Sequence, residues 1–528
     1  MTLHTGGLCT QWAGQHAWRI LDTDWLDGAQ FLACWNAWKR DPQRPHMLHY
    51  VGLIEPGCVT APAPPLAATC QLLEPGFNRF SFSGGQVLLT LCCGERKSML
   101  RAQRFAADSI GLNAAHNPVW DDWTIQALLR CCQRGTRLIA NHANGDLVQR
   151  LTKNGFEIQG GDTADDLQAH FNPSWQIKST RKQPVSSIQH PSHCVVIGAG
   201  LAGASTAASL ARRGWQVQVL DAAVSPASAA SGLPVGLMVP PLQSDHNARS
   251  HLLRAGVKLT IEQARDMLTS GQDWAQSGVM SAKPGQAAYW EPAAAWVKPQ
   301  RLVQAWLAQP NIEFRGNACV VSMEQAGGEW ILRDAQNAVI ARANLVVLAC
   351  ADGVQSLATR LNVKLRQSMA GVHGQVSWAA HQGSDRDDLP AFPVNGLGHL
   401  LPDIPLESGS AWFAGATYSV ADHKAVPSVS SGHASNLSKL AKLHSPSGDL
   451  MHRRIQEGRI EAWRGSRFTT PDRMPMVGPL APLLYINSGF GSRGLSWAVL
   501  CAELLAGQIG NEPLAMPNAW ARLLRASL

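Results

Sequence analysis

The segment that most restricts the fold is His193-Cys-Val-Val-Ile-Gly-Ala-Gly-Leu-Ala-Gly203. Gly198, Gly200 and Gly203 form G-x-G-x-x-G between an apolar run, Cys194–Ile197, and a small-residue helical stretch, Leu201–Arg213. A second apolar run, Gln216–Leu220, follows and ends at Asp221, 23 positions after Gly198. Strand, tight turn, helix, strand and acid in this order specify a βαβ unit that takes a dinucleotide. Gly198 permits the turn, Gly200 lets the backbone approach a diphosphate, and Gly203 lets helix and strand pack closely. The amides opening the helix present N–H groups and a positive dipole end to phosphate. Asp221 is placed to accept from ribose hydroxyls and disfavours a 2′-phosphate.

NAD and FAD share this fingerprint, and two later segments favour FAD. Ala343-Asn-Leu-Val-Val-Leu-Ala-Cys-Ala351 is an apolar strand ending in small residues, suited to returning beside the nucleotide. Asn487-Ser-Gly-Phe-Gly-Ser-Arg-Gly-Leu-Ser496 is a glycine loop that opens an apolar helix, Trp497–Leu505. Such a loop can aim N–H donors at the pyrimidine edge of a flavin, where they stabilise negative charge. A nicotinamide dehydrogenase has no need of it. A binding protein on a dead nucleotide fold has no need of the intact glycine triplet with Asp221.

The rest of the chain divides by composition. Residues 172–192 are polar, proline-bearing and locally basic, and read as a linker. Upstream, Ala17–Leu21, Met47–Ile54, Val87–Leu91 and Thr136–Ala140 read as strands, and Phe31–Trp38 and Trp123–Cys132 as helices, an α/β alternation. Residues 1–175 carry 14 Lys+Arg against 15 Asp+Glu, and the remainder 31 against 23, so the excess of +8 lies downstream. That excess suits a polyanionic partner. The twelve cysteines include the adjacent pairs Cys92-Cys93 and Cys131-Cys132 and no Cys-x-x-Cys, so buried free thiols are expected, with no metal site. Neither a secretory leader nor a membrane-length apolar run stands out, and a cytoplasmic protein is expected.

The downstream segments resemble the D-amino-acid oxidase and glycine oxidase superfamily. More closely, they resemble the C-terminal half of the bifunctional tRNA 5-methylaminomethyl-2-thiouridine biosynthesis family. The resemblance rests on Gly198–Gly203, Ala230-Ser-Gly232 with Gly236 and Pro240, Trp296-Val-Lys-Pro299, Gly374-Gln-Val376, Gly415-Ala-Thr-Tyr418, Asp472-Arg-Met-Pro475 with Gly478, and Gly489-Phe-Gly-Ser-Arg-Gly-Leu495. His373 departs from it, standing where arginine is expected. The resemblance implies FAD-dependent oxidative removal of the carboxymethyl group from carboxymethylaminomethyl-(2-thio)uridine at the tRNA wobble position, leaving aminomethyl-(2-thio)uridine. It implies cofactor contacts at Gly198, Gly200, Gly203, Asp221, Ser231, Gly232, Gly491, Ser492, Arg493, Gly494 and Leu495. A substrate carboxylate needs a cation, for which Arg473 and Arg493 are candidates, with Tyr418 lining the pocket. A small-molecule amine or amino-acid oxidase of the glycine oxidase type is the alternative.

In the resembling family the N-terminal half is a methyltransferase using S-adenosylmethionine. Asp27–Leu32 with Trp35 and Trp38, Asn78–Phe80, Val87–Leu91, Asn117-Pro118 with Trp120, Gly135–Ala140 and Gly155-Phe156 follow its pattern. Its Gly-x-Gly-Thr-Gly run is replaced by Asp22-Thr-Asp-Trp-Leu-Asp-Gly28, and its acid-bearing fourth-strand end by Asn113-Ala-Ala-His116. Glu55 reads as a solvated loop glutamate, with a ribose acceptor as the alternative. This half is expected to methylate poorly or not at all, and to serve as a tRNA-docking or stabilising module. The basic linker residues Lys178, Arg181 and Lys182 are candidate phosphate contacts. The expected architecture is α/β: a Rossmann-like methyltransferase-type domain over 1–172, a linker over 173–192, and over 193–528 a D-amino-acid oxidase-like FAD-binding Rossmann domain with a mixed-sheet substrate subdomain.

Overall fold

A run of parallel strands buried on both faces must be apolar nearly throughout, and the N-terminal strands meet that demand. The computed structural model describes residues 11–56, 62–71, 73–113, 120–160, 166–176, 190–242, 244–245, 247–282, 287–420 and 427–527. They fall into two units. The first comprises the described residues of Met1–Pro191 with Arg212–Gly214 and Glu503–Leu523, the second Ser192–Ala211, Trp215–Ala502 and Leu524 onward. These limits cut the chain differently from the 1–172, 173–192 and 193–528 division, since 503–523 group with the first unit. The linker residues Lys178, Arg181 and Lys182, and Ala114–Pro118, lie outside the described residues.

The first unit is built on β1 (Ala17–Asp22), α1 (Ala29–Arg40), β2 (Met47–Ile54), β3 (Gly76–Phe82), β4 (Val87–Cys93), α2 (Arg96–Ala102), β5 (Ala107–Asn113), α3 (Asp122–Leu129), β6 (Cys132–Asn141), α4 (Gly145–Lys153), β7 (Phe156–Gly160) and β8 (Asp166–Phe171). The sheet order is β3-β4-β2-β1-β5-β6-β8-β7. Strands β4, β2, β1, β5 and β6 are parallel, whereas β3 and β8 run antiparallel to their neighbours. All eight residues of β2 are buried. Successive residues point to opposite faces, so Leu21, Val51 and Leu53 join one core cluster while Ile20, Tyr50 and Ile54 join the other. Helices α3 and α4 start where Asp121 and Asn144 accept from the amides of Thr124 and Leu147. The helix expected over Trp123–Cys132 stops at Leu129, because Cys132 already pairs with Ala107 in the sheet.

The second unit opens with β9 (His193–Ile197), α5 (Leu201–Ala211) and β10 (Gln216–Leu220), as its sequence pattern requires. It continues through α6 (Ala248–Met267), α7 (Pro299–Leu307), β11 (Ile312–Arg315) and β12 (Leu345–Leu348). Then follow β13 (Ala370–Ala380), β14 (His399–Pro405), β15 (Ser410–Gly415), α8 (Val429–Leu443), α9 (Ser445–Gln456), β16 (Glu461–Thr469), β17 (Met476–Ala481), β18 (Leu484–Ser488) and α10 (Gly494–Ile509). A six-stranded sheet has the order β11-β10-β9-β12-β18-β17, parallel except for β17. The expected strand near 343–351 is β12, at the centre beside β9. A second, eight-stranded mixed sheet contains β13, β14, β15 and β16, with β13 paired to both β15 and β16. The fold class is the expected one: an α/β chain with a dinucleotide sheet and a separate mixed sheet. Among the described residues no helix is long and apolar enough to cross a membrane. Six of the described cysteines are buried and Cys319 is exposed.

Candidate active site

The turn between β9 and α5 is too tight for any side chain on its glycines. A methyl group on Gly198 (φ +108°) would lie 2.5 Å from the Ala349 carbonyl oxygen, and one on Gly203 would lie 1.7 Å from the Gly198 oxygen. Gly198 N–H donates to Leu220 O at 2.7 Å, tying the turn to β10. Asp221, at the end of β10, accepts from Ala199 N–H at 2.6 Å with one carboxylate oxygen and from Ala223 N–H at 2.8 Å with the other. The acid therefore braces the glycine turn from the side where a ribose would lie.

Two distant segments close on this turn. Ser231 sits in a short 3₁₀ turn, Ala230–Gly232, and its hydroxyl accepts from Leu201 N–H at 2.9 Å. A methyl on Gly200 would lie 3.0 Å from that hydroxyl, and one on Gly232 2.6 Å from Ala227 O. The C-terminal loop forms a 3₁₀ turn, Gly491–Arg493, before α10. A methyl on Gly494 would lie 3.0 Å from Leu201 Cδ1, and Gly236 lies where a methyl would be 2.7 Å from Leu495 Cδ1. Helix α6 packs against the same corner: Thr260 donates to Leu495 O at 2.8 Å, and a methyl on Gly256 would meet Ser496 O at 1.8 Å. The structure thus brings together Gly198, Gly200, Gly203, Asp221, Ser231, Gly232 and Gly491 through Leu495, from segments almost 300 residues apart. Glycine turn, helix start, braced acid and second glycine loop fit a flavin dinucleotide.

The strand β16 links this corner to the mixed sheet. Its last residue, Thr469, bridges to Phe490, and a methyl on Gly491 would lie 3.0 Å from the Thr469 hydroxyl. Two residues back, the half-buried Arg467 lies across the sheet over Gly374, where a methyl would meet its Nη2 at 1.9 Å. Arg467 donates to Thr417 O at 3.3 Å and has no carboxylate in ion-pair distance among the described residues. Burial lowers its pKa, and the nearby Tyr418 phenol partly offsets this. Lys439 donates to Ala416 O at 2.8 Å. Burial, then Arg467 and Lys439, push His399 down to about 4, so it is neutral near pH 7. This is a cationic corner without a counter-ion among the described residues.

The three residues expected to meet substrate are all exposed, and Tyr418 is near Arg467. Arg473 is exposed, at φ +58° in the turn after β16. Tyr418 is 55 % exposed, following β15. Protein crowding, then the charge of Arg249, lowers the Arg493 pKa although its side chain is exposed; its contact with solvent keeps it a cation.

Kinship follows the same lines. The FAD dependent oxidoreductase family matches residues 193–283 and 279–508. The tRNA 5-methylaminomethyl-2-thiouridine biosynthesis bifunctional protein MnmC of Albidiferax ferrireducens is 45% identical, over 99% of this chain and 95% of its own. That of Polaromonas naphthalenivorans is 38% identical over 96% and 90%. The chain belongs to the MnmC family. Its second unit is an FAD-dependent oxidoreductase, and FAD is its cofactor. The alignment with the first MnmC relative runs over 580 positions, at least 52 more than the 528 residues here, so that relative carries segments this chain lacks. Among solved structures, glycine oxidase from Geobacillus kaustophilus superposes with TM-score 0.52 at 18% identity, covering 63% of this chain and 98% of its own. L-proline dehydrogenase from P. horikoshii gives 0.50 at 16%, covering 63% and 96%. These share the fold of the oxidoreductase part of this chain.

Reading the sequence for arginines beside glycine or proline loops passed over Arg467. Its signal is the register Gly374↔Gly465, which sets Gly374 two positions from Arg467 and leaves room there for the guanidinium. That register exists only once β13 and β16 are paired.

Proposed function

We propose that the second unit oxidises the carbon–nitrogen bond of carboxymethylaminomethyl-(2-thio)uridine at the tRNA wobble position, removing the carboxymethyl group and leaving aminomethyl-(2-thio)uridine. FAD, when bound, would accept a hydride from the carboxymethyl carbon; water then hydrolyses the resulting imine, releasing the aminomethyl nitrogen, and the two carbons as glyoxylate. Gly198, Gly200 and Gly203 leave room for the diphosphate, Asp221 receives the ribose hydroxyls, Ser231 and Gly232 flank the helix start, and Gly491 through Leu495 present N–H groups to the ring. Arg467 would hold the substrate carboxylate, since no counter-ion pairs with it among the described residues. Tyr418, Arg473 and Arg493 lie at exposed positions suited to the nucleoside or its flanking phosphates. Holding carboxylate and ring at fixed places sets the reacting carbon against the cofactor.

The observation that carries the reading is full-length kinship. The MnmC relatives match 99% and 96% of the chain, whereas the likeness to glycine oxidase stops at 63%. A small-molecule amine oxidase has no use for the remainder. The test is turnover by the yellow holoprotein on tRNA bearing the carboxymethylaminomethyl group, beside glycine and sarcosine. The aminomethyl nucleoside should appear in digested tRNA, with the small amines turned over far more slowly. Faster turnover of glycine or sarcosine would assign the chain to the other class.

A further inference from the structure

In an open α/β sheet, a nucleotide enters the crevice at the carboxyl ends of the strands where the strand order reverses. In the first unit that place is beside β1, with β2 on one side and β5 on the other. A methyl donor carrying adenosine would need the loop after β1 to stand open and an acid after β2 to take its ribose hydroxyls. Neither condition is met.

The loop after β1 folds back across the strand ends. Thr23 N–H donates to Gly111 O at 3.0 Å, its hydroxyl donates to the same oxygen at 3.1 Å, and Trp25 N–H donates to Leu53 O at 3.0 Å. These bonds draw the loop onto β5 and β2. The Trp25 indole, 4% exposed, then lies in the crevice. A methyl on Gly52 would be 2.6 Å from its Cε3, and one on Gly28 2.7 Å from its Cζ2. Its ring stands edge-on to Tyr50 at 6.1 Å and tilted to Phe31 at 6.2 Å. The room left by Gly28 and Gly52 is filled by Trp25.

Glu55, just after β2, faces a buried cation. Arg96 N–H donates to its Oε1 at 3.3 Å, and Arg96 Nη2 lies 3.7 Å from its Oε2 and 3.8 Å from Asp24 Oδ1. Arg96 Nε donates to Thr23 O at 3.2 Å, and its guanidinium stands 5.3 Å over Trp120. Arg96 is itself 4% exposed. A sulfonium donor would meet this buried cation with its own positive charge.

We infer that the described residues of the first unit leave no site for S-adenosylmethionine beside β1, because Trp25 fills the adenosine crevice and Arg96 engages the acid that would take the ribose. Resting on the proposed function, this makes the protein's product the primary amine. The N-methyl group must come from a separate enzyme of the class that moves a methyl from a sulfonium sulfur to an amine nitrogen, releasing one amine proton.

The test uses the full-length holoprotein and needs no oxidase activity. It is titrated calorimetrically with S-adenosylmethionine and with S-adenosylhomocysteine, and is separately incubated with S-adenosylmethionine and tRNA already bearing the aminomethyl group. No saturable heat up to millimolar ligand, and nucleoside digests showing the aminomethyl form unchanged, are expected. Micromolar binding of either ligand, or any methylaminomethyl nucleoside, overturns the inference. Failure of the oxidase reading is a different result: carboxymethylaminomethyl tRNA left intact by the same preparation. Trp25→Ala adds a check, since it should leave the flavin spectrum unchanged.

Discussion

At the scale of single residues, the cofactor turn tolerates no added carbon. Gly203→Ala places a methyl against the Gly198 oxygen, where 1.7 Å separates them, so the variant should purify without bound flavin, read as loss of the yellow absorbance. Arg467→Met should keep full flavin content yet lose a charge-assisted hydrogen bond worth about 1.5–3 kcal/mol. That is roughly a ten- to hundredfold drop in kcat/KM on modified tRNA, carried mainly by KM. Asp22 offers a pH signature. Burial, opposed by the Tyr50 hydrogen bond and the Asp24 amide, raises its pKa from 3.8 to about 6. The folded state therefore holds a proton that the unfolded chain releases between those values. Its contribution is fully present below pH 3.8 and lost as pH rises through 6. Asp22→Asn keeps an acceptor for Tyr50 and removes the titration. Its stability relative to the native chain should rise between pH 5 and 7.5 by on the order of 2 kcal/mol, measured as a pH-dependent gap between urea midpoints.

At the scale of elements, the sequence made β9, α5 and β10 legible because three demands coincide on few residues: apolar run, glycine spacing and terminal acid. The strands of the first unit were legible for a similar reason, since parallel strands buried on both faces are continuous apolar runs. The limits at Cys132 and the pairing of β13 with β16 were not, because they are decided by partners remote in sequence. Arg467 stayed hidden with that pairing, and Arg96 likewise: nothing local tells that a helix-start arginine will bond Glu55, 41 positions earlier. Close packing of α6 on α10 is another long-range fact. Gly256→Ala, whose methyl would sit 1.8 Å from Ser496 O, should force the helices apart and cost roughly 1–3 kcal/mol, seen as a lowered thermal midpoint of the flavin-containing protein.

At the scale of the whole molecule, charge is divided unevenly. Residues 1–175 are close to neutral and the remainder carries the excess of +8. tRNA affinity should therefore fall linearly in log–log form with salt, with a slope of roughly −0.7 to −0.9 per phosphate neutralised. Replacing Lys178, Arg181 and Lys182 with serine should make that slope shallower, and an unchanged slope in a filter-binding series would remove the linker from the interface. The hydroxyl of Ser231 has a consequence of its own. By taking the first amide of α5 it supplies, from within the protein, the acceptor that a ligand oxygen would otherwise provide. The start of α5 is thereby tied to the Ala230–Gly232 turn by a bond within the protein. Stripping the flavin and adding it back should then be a simple exchange, with colour returning without a refolding step.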